Sequence, residues 1–547
     1  MKILQLFFIF LSHFLIAQST PNILWVVCED ISPTLSMYGD STAKTPHLDA
    51  LARESIIYKN AFTTVGVCAP SRSAIITGMH PTSLGTMHMR TGKDIMSWGR
   101  REYKKSIPIT DIAGDPIREY AVVPPSEVKC FTEYLRAAGY FCTNNQKTDY
   151  QFAAPVTAWD ENGPNAHWRN RPDGRPFFSV FNIGLTHESR LWVHKDLPLT
   201  VKPEEVVVPP YLPDTELSRI DIARHYSNVE LMDEQVDKIL AALKADGLYD
   251  NTIIFFYSDH GGPLPRQKRE IYDSGLRVPF MIKGLNGKQK GYTERLISFV
   301  DLAPTVLSLA GIKPPDYMEG LAFSGNYAAS ERTHLFGSSD RFDEFTDRSR
   351  MVRDKQFLYV RNFFPELPKY KDLSYRKKIP MMGDMLELKA QGRLNILQQQ
   401  WFDTKVTEEL YDCIADPHNL NNLAIDPTYH LELEHMRGLL LQHMSEAPDL
   451  GLIPEATLID MMWPDGEQPQ TALPLVQQKQ QSLQIKCSTP GSSIAYLILD
   501  APQQNPDLND GWQIYHQSFE SIPGKYLYVI AERLGYATSE MVVLQME

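Results

Sequence analysis

A cysteine two residues ahead of a proline, followed by serine and arginine, is the stretch of this chain best suited to chemistry. It reads Cys68-Ala69-Pro70-Ser71-Arg72 and continues Ser73-Ala74-Ile75-Ile76-Thr77-Gly78. Proline suits the first turn of a helix, where its missing N–H would have no partner anyway, so the spacing predicts that Cys68 opens a helix. Free backbone N–H groups and the helix dipole favour negative charge at that end. Arg72 adds a planar fork suited to an oxyanion. On these residues alone Cys68 is either a thiolate nucleophile of depressed pKa or a buried structural cysteine.

Three short apolar runs must position the partners of such a group. Residues 22–27 (NILWVV) stop at Cys28-Glu29-Asp30, residues 177–183 (FFSVFNI) lead into Gly184-Leu185-Thr186-His187, and residues 253–257 (IIFFY) lead into Ser258-Asp259-His260-Gly261. Runs of this kind are predicted to be buried parallel strands. Each delivers polar residues at its C-terminal end, and in open α/β sheets the ligand crevice lies outside those ends. Helical periodicity alternates with them. Residues 126–138 carry Val128, Phe131 and Leu135 on one face, with Ser126 as cap and Gly139 as stop; residues 217–243 show the same pattern ahead of Gly247. The expected fold class is α/β, a doubly wound sheet.

At 547 residues the chain is too long for one ordinary domain. A catalytic α/β domain is expected over 19–330 and an α+β subdomain over 331–447, with strand-like residues at 350–362 and a helix near 430–444. A linker rich in Pro, Asp and Gln is expected over 448–474. Short strands at 483–487, 494–499, 513–515 and 526–531 predict a small β-sandwich over 475–547. Met1-Lys2, an apolar run over 3–17 interrupted by Ser12 and His13, and Ala17-Gln18-Ser19 read as a signal peptide over 1–18. That run is too short for a membrane anchor, so export, with the periplasm as destination, is expected. The 6 cysteines do not make a disulfide scaffold in a chain this long, and Cys130 and Cys142 are expected to be ordinary buried residues, with a bridge between them as the alternative. The formal charge of −13 argues against nucleic acid as a partner. It also requires that any site for an anionic substrate concentrate its cations locally.

The Cys68 stretch meets the CxPSRxxxxTG signature at every fixed position, and the chain from 21 to 447 resembles the type I sulfatases of the alkaline phosphatase superfamily. The resemblance implies an alkaline-phosphatase-like mixed sheet and conversion of Cys68 to formylglycine by a formylglycine-generating or anaerobic sulfatase-maturating enzyme. It also implies hydrolysis of a sulfate ester through the hydrated aldehyde. Glu29, Asp30, Asp259 and His260, with residue 68, match the site of one divalent cation, usually calcium, which prefers hard oxygen ligands. The family more often has Asp at the position of Glu29 and Asn at that of His260, and an imidazole is a softer ligand. Lys268 matches the sulfate-binding lysine. Lys147 matches the lysine of a Gly-Lys-x-His element, in which Asp149 replaces the histidine and is a candidate substrate contact. His187 matches the histidine that protonates the leaving group. His80, His88 and Arg90, with Arg190 and Arg101 as weaker candidates, are expected to select the substrate. His88-Met89-Arg90 resembles bacterial sulfatases acting on heparan-like or algal polysaccharides. The C-terminal sandwich resembles the small β-sandwich often appended to glycan-active enzymes, which implies a sulfated polysaccharide substrate, algal such as ulvan or glycosaminoglycan, or its oligosaccharides. A phosphate or phosphonate ester hydrolase of the same superfamily, and an inactive glycan-binding relative, are the alternative readings.

Overall fold

Strand β1 (Asn22–Cys28) is buried along its whole length, and its side chains divide between two cores. Leu24, Val26 and Cys28 point to one, shared with Ile222, Val229, Val236 and Leu243 of the long helix Glu216–Ala245. Ile23, Trp25 and Val27 point to the other, shared with Phe131 and Leu135 of helix Phe131–Ala137 and with Leu302 and Val306 of helix Leu302–Leu309. Period-two alternation with both faces apolar forces a sheet covered by helices on each side. The computed structural model describes residues 20–92, 108–285 and 289–547. The expected signal segment and Arg101 lie outside the described residues.

The remaining strands of this sheet are β2 (Ser55–Phe62), β3 (Phe141–Asn145), β4 (Glu161–Asn162), β5 (Phe177–Ile183), β6 (Thr252–Ser258), β7 (Phe280–Lys283) and β8 (Gly291–Ser298). They run in the order β4-β3-β5-β1-β6-β7-β2-β8. β1 pairs in parallel with both β5 and β6, and β3 in parallel with β5. β7 runs antiparallel to its neighbours β6 and β2, so the sheet is mixed. The register places Cys28 opposite Ile183 on one side and Ser258 on the other. Three strands thus end level on one edge, and Glu29, Gly184 and Asp259 begin their loops side by side.

The expected helix over 126–138 begins only at Phe131. Cys130 is its cap, and its N–H donates to the Glu133 carboxylate at 3.0 Å, while the Ser126 hydroxyl is spent on Glu127. Residues 350–362 divide into β10 (Ser349–Arg353) and β11 (Phe357–Asn362), the second and third strands in sequence of an antiparallel sheet with β9 (Leu335–Ser339) and β12 (Glu408–Asp412). Asp354 turns the chain between them by accepting the N–H groups of Gln356 and Phe357. Helix His430–Glu446 packs Leu433, Met436 and Leu440 on this sheet.

Residues 448–474 are not a free linker. They contain helix Glu455–Met462, whose Leu458, Ile459 and Met462 join Trp463 in a core with Met87, Tyr120 and Val122. The polar composition conceals an apolar stripe at i, i+1 and i+4. Beyond it, a three-stranded and a four-stranded antiparallel sheet bury Leu483 and Ile485 against Leu527 and Val529. The four-stranded sheet turns Ala495, Leu497 and Ile530 towards Val156 of the α/β domain, and Arg136 reaches across to the Trp512 carbonyl at 2.6 Å.

A large-to-small substitution tests the packed segment. Leu458, 1% exposed, is expected on replacement by Ala to lose about 2–5 kcal/mol of stability, read from the denaturant midpoint. A linker residue would shift it by no more than about 0.5 kcal/mol.

Candidate active site

Helix Cys68–Thr77 is buried at every residue, with Val67 as its N-cap and Gly78 closing it at φ 73°. The strand ends fix what faces its first residue. The loop after β1 carries Glu29 and Asp30, that after β6 carries Asp259 and His260, that after β5 carries His187, and that after β3 carries Lys147. Gly261 lets the second loop pass close to its neighbour: a Cβ there would fall 2.3 Å from the Ser274 carbonyl oxygen. Asp30, Arg90, Asp149 and Arg269 all adopt positive φ, between 52° and 71°. Non-glycine residues pay for that conformation, and the surrounding packing must hold them there.

The Cys68 Sγ lies 3.2 Å from His260 Nε2, which in turn lies 3.1 Å from Asp30 Oδ1. Lys268 Nζ donates to Asp30 Oδ2 at 2.6 Å, and Lys147 Nζ to Glu29 Oε2 at 2.9 Å. Glu188 closes the far side. It accepts both terminal nitrogens of Arg269, at 2.9 and 3.0 Å, and lies 3.3 Å from Lys268, while its own N–H donates to Asp30 Oδ2 at 2.7 Å. Burial disfavours every charge in this cluster, and opposite charges overcome it. For Asp30, burial is outweighed by Lys268 and His260, which hold the carboxyl well below its usual range. Burial likewise opposes a charged His260, yet Asp259, Asp30 and Cys68 lift it to about 10. Burial alone would push the Cys68 thiol up, but Lys147, Lys268 and His260 bring it down to about 5.

Two sets of donors converge tightly enough to hold a cation: Glu29, Asp30, Cys68 and His187, and Cys68, Asp259 and His260, with the ligating atoms of each set within 4.8 Å of one another. Asp30 Oδ1 is buried and its near polar neighbour is His260 Nε2 at 3.1 Å, itself a candidate ligand, with no well-aligned hydrogen bond between them. A buried carboxylate oxygen left in that state fits a ligand atom, and the three carboxylates among the donors, Glu29, Asp30 and Asp259, fit a hard cation.

A cavity of 1290 Å³ opens over this cluster, lined by Cys68, Glu29, Lys147, His187 and Lys268, and by Arg90 and Arg190 among the expected selectors. Other expected residues lie elsewhere. Arg72 is turned away from the cavity: its guanidinium grips Asp259 at 2.9 and 3.0 Å and Asn182 Oδ1 at 2.7 Å. It therefore positions a carboxylate instead of offering a fork to substrate. Asp149 is fully buried and anchors Arg90 at 3.0 Å and Lys147 at 3.7 Å. His80 is packed against His443 and Phe336, with its N–H held by Glu319. His88 is buried 3.9 Å from Glu455. Neither histidine lines the cavity, because each is drawn into a core behind its wall. Sequence reading missed Asn182, Glu188, Arg269, Tyr375 and Lys378. Glu188 and Arg269 were signalled only by standing next to His187 and Lys268.

Lysines ranged across a carboxylate cluster from a helix-opening cysteine suit an ester of a tetrahedral oxyanion, and on this mixed sheet they define the alkaline phosphatase-like superfamily. Sequence comparison narrows the class. The sulfatase family profile matches residues 21–151 and 165–312, and that of the N-sulphoglucosamine sulphohydrolase C-terminal region matches 266–365. The chain is 44% identical over 560 residues to an ulvan-active sulfatase of Formosa agariphila, covering 95% of this chain and 91% of that one. It is 27% identical over 469 residues to human N-sulphoglucosamine sulphohydrolase, covering 78% and 90% respectively. A solved 2-O GAG sulfatase shares the fold, with a TM-score of 0.55 and 20% identity over 79% of this chain and 93% of that one. The chain belongs to the sulfatase family and is a sulfuric ester hydrolase.

The depressed Cys68 pKa can be read directly. In unconverted protein kept in chelator, ultraviolet thiolate absorbance is expected to rise through an inflection near pH 5 and to vanish in Cys68→Ser. The thiolate is the form present above that pH, so an inflection in the ordinary thiol range near about 8.5 would contradict the electrostatics described.

Proposed function

We propose that this protein is an exported, periplasmic sulfatase acting on a sulfated polysaccharide or oligosaccharides cut from it, with a formylglycine made from Cys68. The observation that carries the reading is Cys68 at the start of its helix, lining the cavity with Lys147 and Lys268 beside it. The ulvan-active relative supports the polymer class. Residues 3–17 support export, and among the described residues no helix is long and apolar enough to cross a membrane.

Glu29, Asp30, Asp259 and His260, with residue 68, would hold one divalent cation, calcium being favoured by the carboxylates. Together the hydrated aldehyde of residue 68 and such a cation would supply a hydroxyl nucleophile and a counter-charge for the sulfuryl oxygens. The chain's own side chains do the rest. Lys147 and Lys268 face the sulfate oxygens and meet the need for local positive charge in an acidic protein. Arg72 and Glu188 hold Asp259 and Lys268 in place. His187, with Nε2 3.9 Å from Glu29 and its Nδ1 paired with Ser189 at 2.9 Å, donates a proton to the sugar oxygen as the S–O bond breaks. One water is consumed and sulfate is released.

Co-expression with a maturating enzyme tests this. The peptide containing residue 68 is expected to carry the aldehyde mass, sulfate is expected to be released from ulvan or glycosaminoglycan oligosaccharides, and Cys68→Ala is expected to fall to background. An unmodified thiol with no sulfate release would favour the inactive glycan-binding alternative. Faster hydrolysis of an aryl phosphate than of the aryl sulfate would favour the phosphate ester alternative.

A further inference from the structure

The cavity wall carries several Lys and Arg side chains, and most are already matched to a carboxylate, from Lys147 on Glu29 and Lys268 on Asp30 near Cys68 to Arg118 on Asp460. Arg190 and Lys378 are not: no carboxylate among the described residues pairs with either. Arg190 spends its Nε on the Gly184 carbonyl at 3.1 Å, which fixes the side chain and leaves its two terminal nitrogens without a partner among the described residues.

Both cations sit beside His187. The Arg190 N–H donates to the His187 carbonyl at 2.8 Å and opens the short helix Arg190–Val193. Trp192 of that helix meets Tyr375 edge-on, centroids 5.2 Å apart at 77°, and the Tyr375 ring lies 6.4 Å from that of His187. Lys378 Nζ stands 4.8 Å from the Tyr375 centroid and 6.0 Å from that of Trp192. The segment bearing Tyr375 and Lys378 is fixed by Arg376, which donates to the Lys268 carbonyl at 2.8 Å and to Glu270 at 3.2 Å. Tyr375 beside His187, and Lys378 beside Tyr375, place both residues on the wall next to the group that faces the leaving oxygen.

We infer that Arg190, Tyr375 and Lys378 form a subsite, on the leaving-group side, for the sugar next to the sulfated one, and that this neighbouring sugar bears an anionic group, a carboxylate or a further sulfate. The reasoning rests on the sulfatase reading above. Tyr375 offers an apolar face with a polar edge, which suits a pyranose ring. Arg190 offers a preset fork for an oxyanion and Lys378 a mobile point charge. In a chain of net charge −13, two unmatched cations on the wall of the main cavity are a local excess of positive potential that a neutral sugar would leave unused.

The test uses the matured enzyme and three substrates with the same sulfated sugar. The neighbouring sugar carries a carboxylate in the first, the same carbon reduced to a neutral hydroxymethyl in the second, and a second sulfate in the third. The wild type is expected to favour at least one anionic substrate over the neutral one by about tenfold or more in kcat/KM, and which one identifies the anion. Lys378→Ala and Arg190→Gln are each expected to cut that preference about three- to tenfold, as expected for a charge-assisted contact. The change should appear as a raised KM at similar kcat, and Lys378→Arg should retain most of the preference. Equal use of neutral and anionic substrates, or a preference unaltered in both variants, would overturn the subsite while leaving the sulfatase reading intact. No sulfate release from any of the three by the wild type would sink the sulfatase reading, and the subsite with it.

Discussion

The parallel pairing of β1 with β5 and β6 drives Glu29, Asp30 and Asp259 together at one edge of the sheet, where burial strips them of water. Carboxylates in that position repel one another and lose solvation, so each must be answered by a fixed positive charge. Lys147 answers Glu29, Lys268 and His260 answer Asp30, and Arg72 answers Asp259. The same charges act on Cys68, which shares their space without contributing to their repulsion until it ionises. The electrostatics that make the site tolerable are thus the ones that lower the Cys68 thiol to a pKa of about 5. A divalent cation would relieve the repulsion further, consistent with the convergence of Glu29, Asp30 and Asp259 oxygens around residue 68.

Segments remote in sequence hold that balance in place. Arg269 is pinned between Glu188 and Asp343, and Arg376 ties the loop after Lys268 to the segment bearing Tyr375. Glu455, on the helix within the expected linker, accepts both Arg341 Nε and a terminal nitrogen, while Arg341 donates to the Met89 and Asp343 carbonyls. Arg341 and Met89 line the cavity. The helix Glu455–Met462 therefore shapes the wall of a site whose chemistry begins some four hundred residues earlier, which explains why that stretch is folded and not free.

Much of this was legible because the information was local. Apolar runs ending in polar residues gave the three central strands, and proline spacing gave the helix that Cys68 opens. What escaped was set by tertiary contact. Nothing in the sequence around Arg72 says that its fork is occupied by Asp259. His80 and His88 follow the signature closely, yet their side chains fall behind the wall, His80 with His443 and Phe336 and His88 with Glu455. Tyr375 and Lys378 carry no local signal, because they become part of the site only when Arg376 docks on the Lys268 loop. The cap at Cys130 was hidden by Ser126, a better intrinsic capping residue placed where no helix begins.

On the function proposed, the sulfate group is held at residue 68 by Lys147 and Lys268, with His187 towards the leaving oxygen. A crystal structure of Cys68→Ala with a sulfated oligosaccharide tests it most directly. The expected result is a sulfate ester next to residue 68, hydrogen-bonded to Lys147 and Lys268, with His187 Nε2 at the bridging oxygen and a cation on Asp30 and Asp259. A sulfate group bound away from residue 68, or one lying with its bridging oxygen turned from His187, would contradict it.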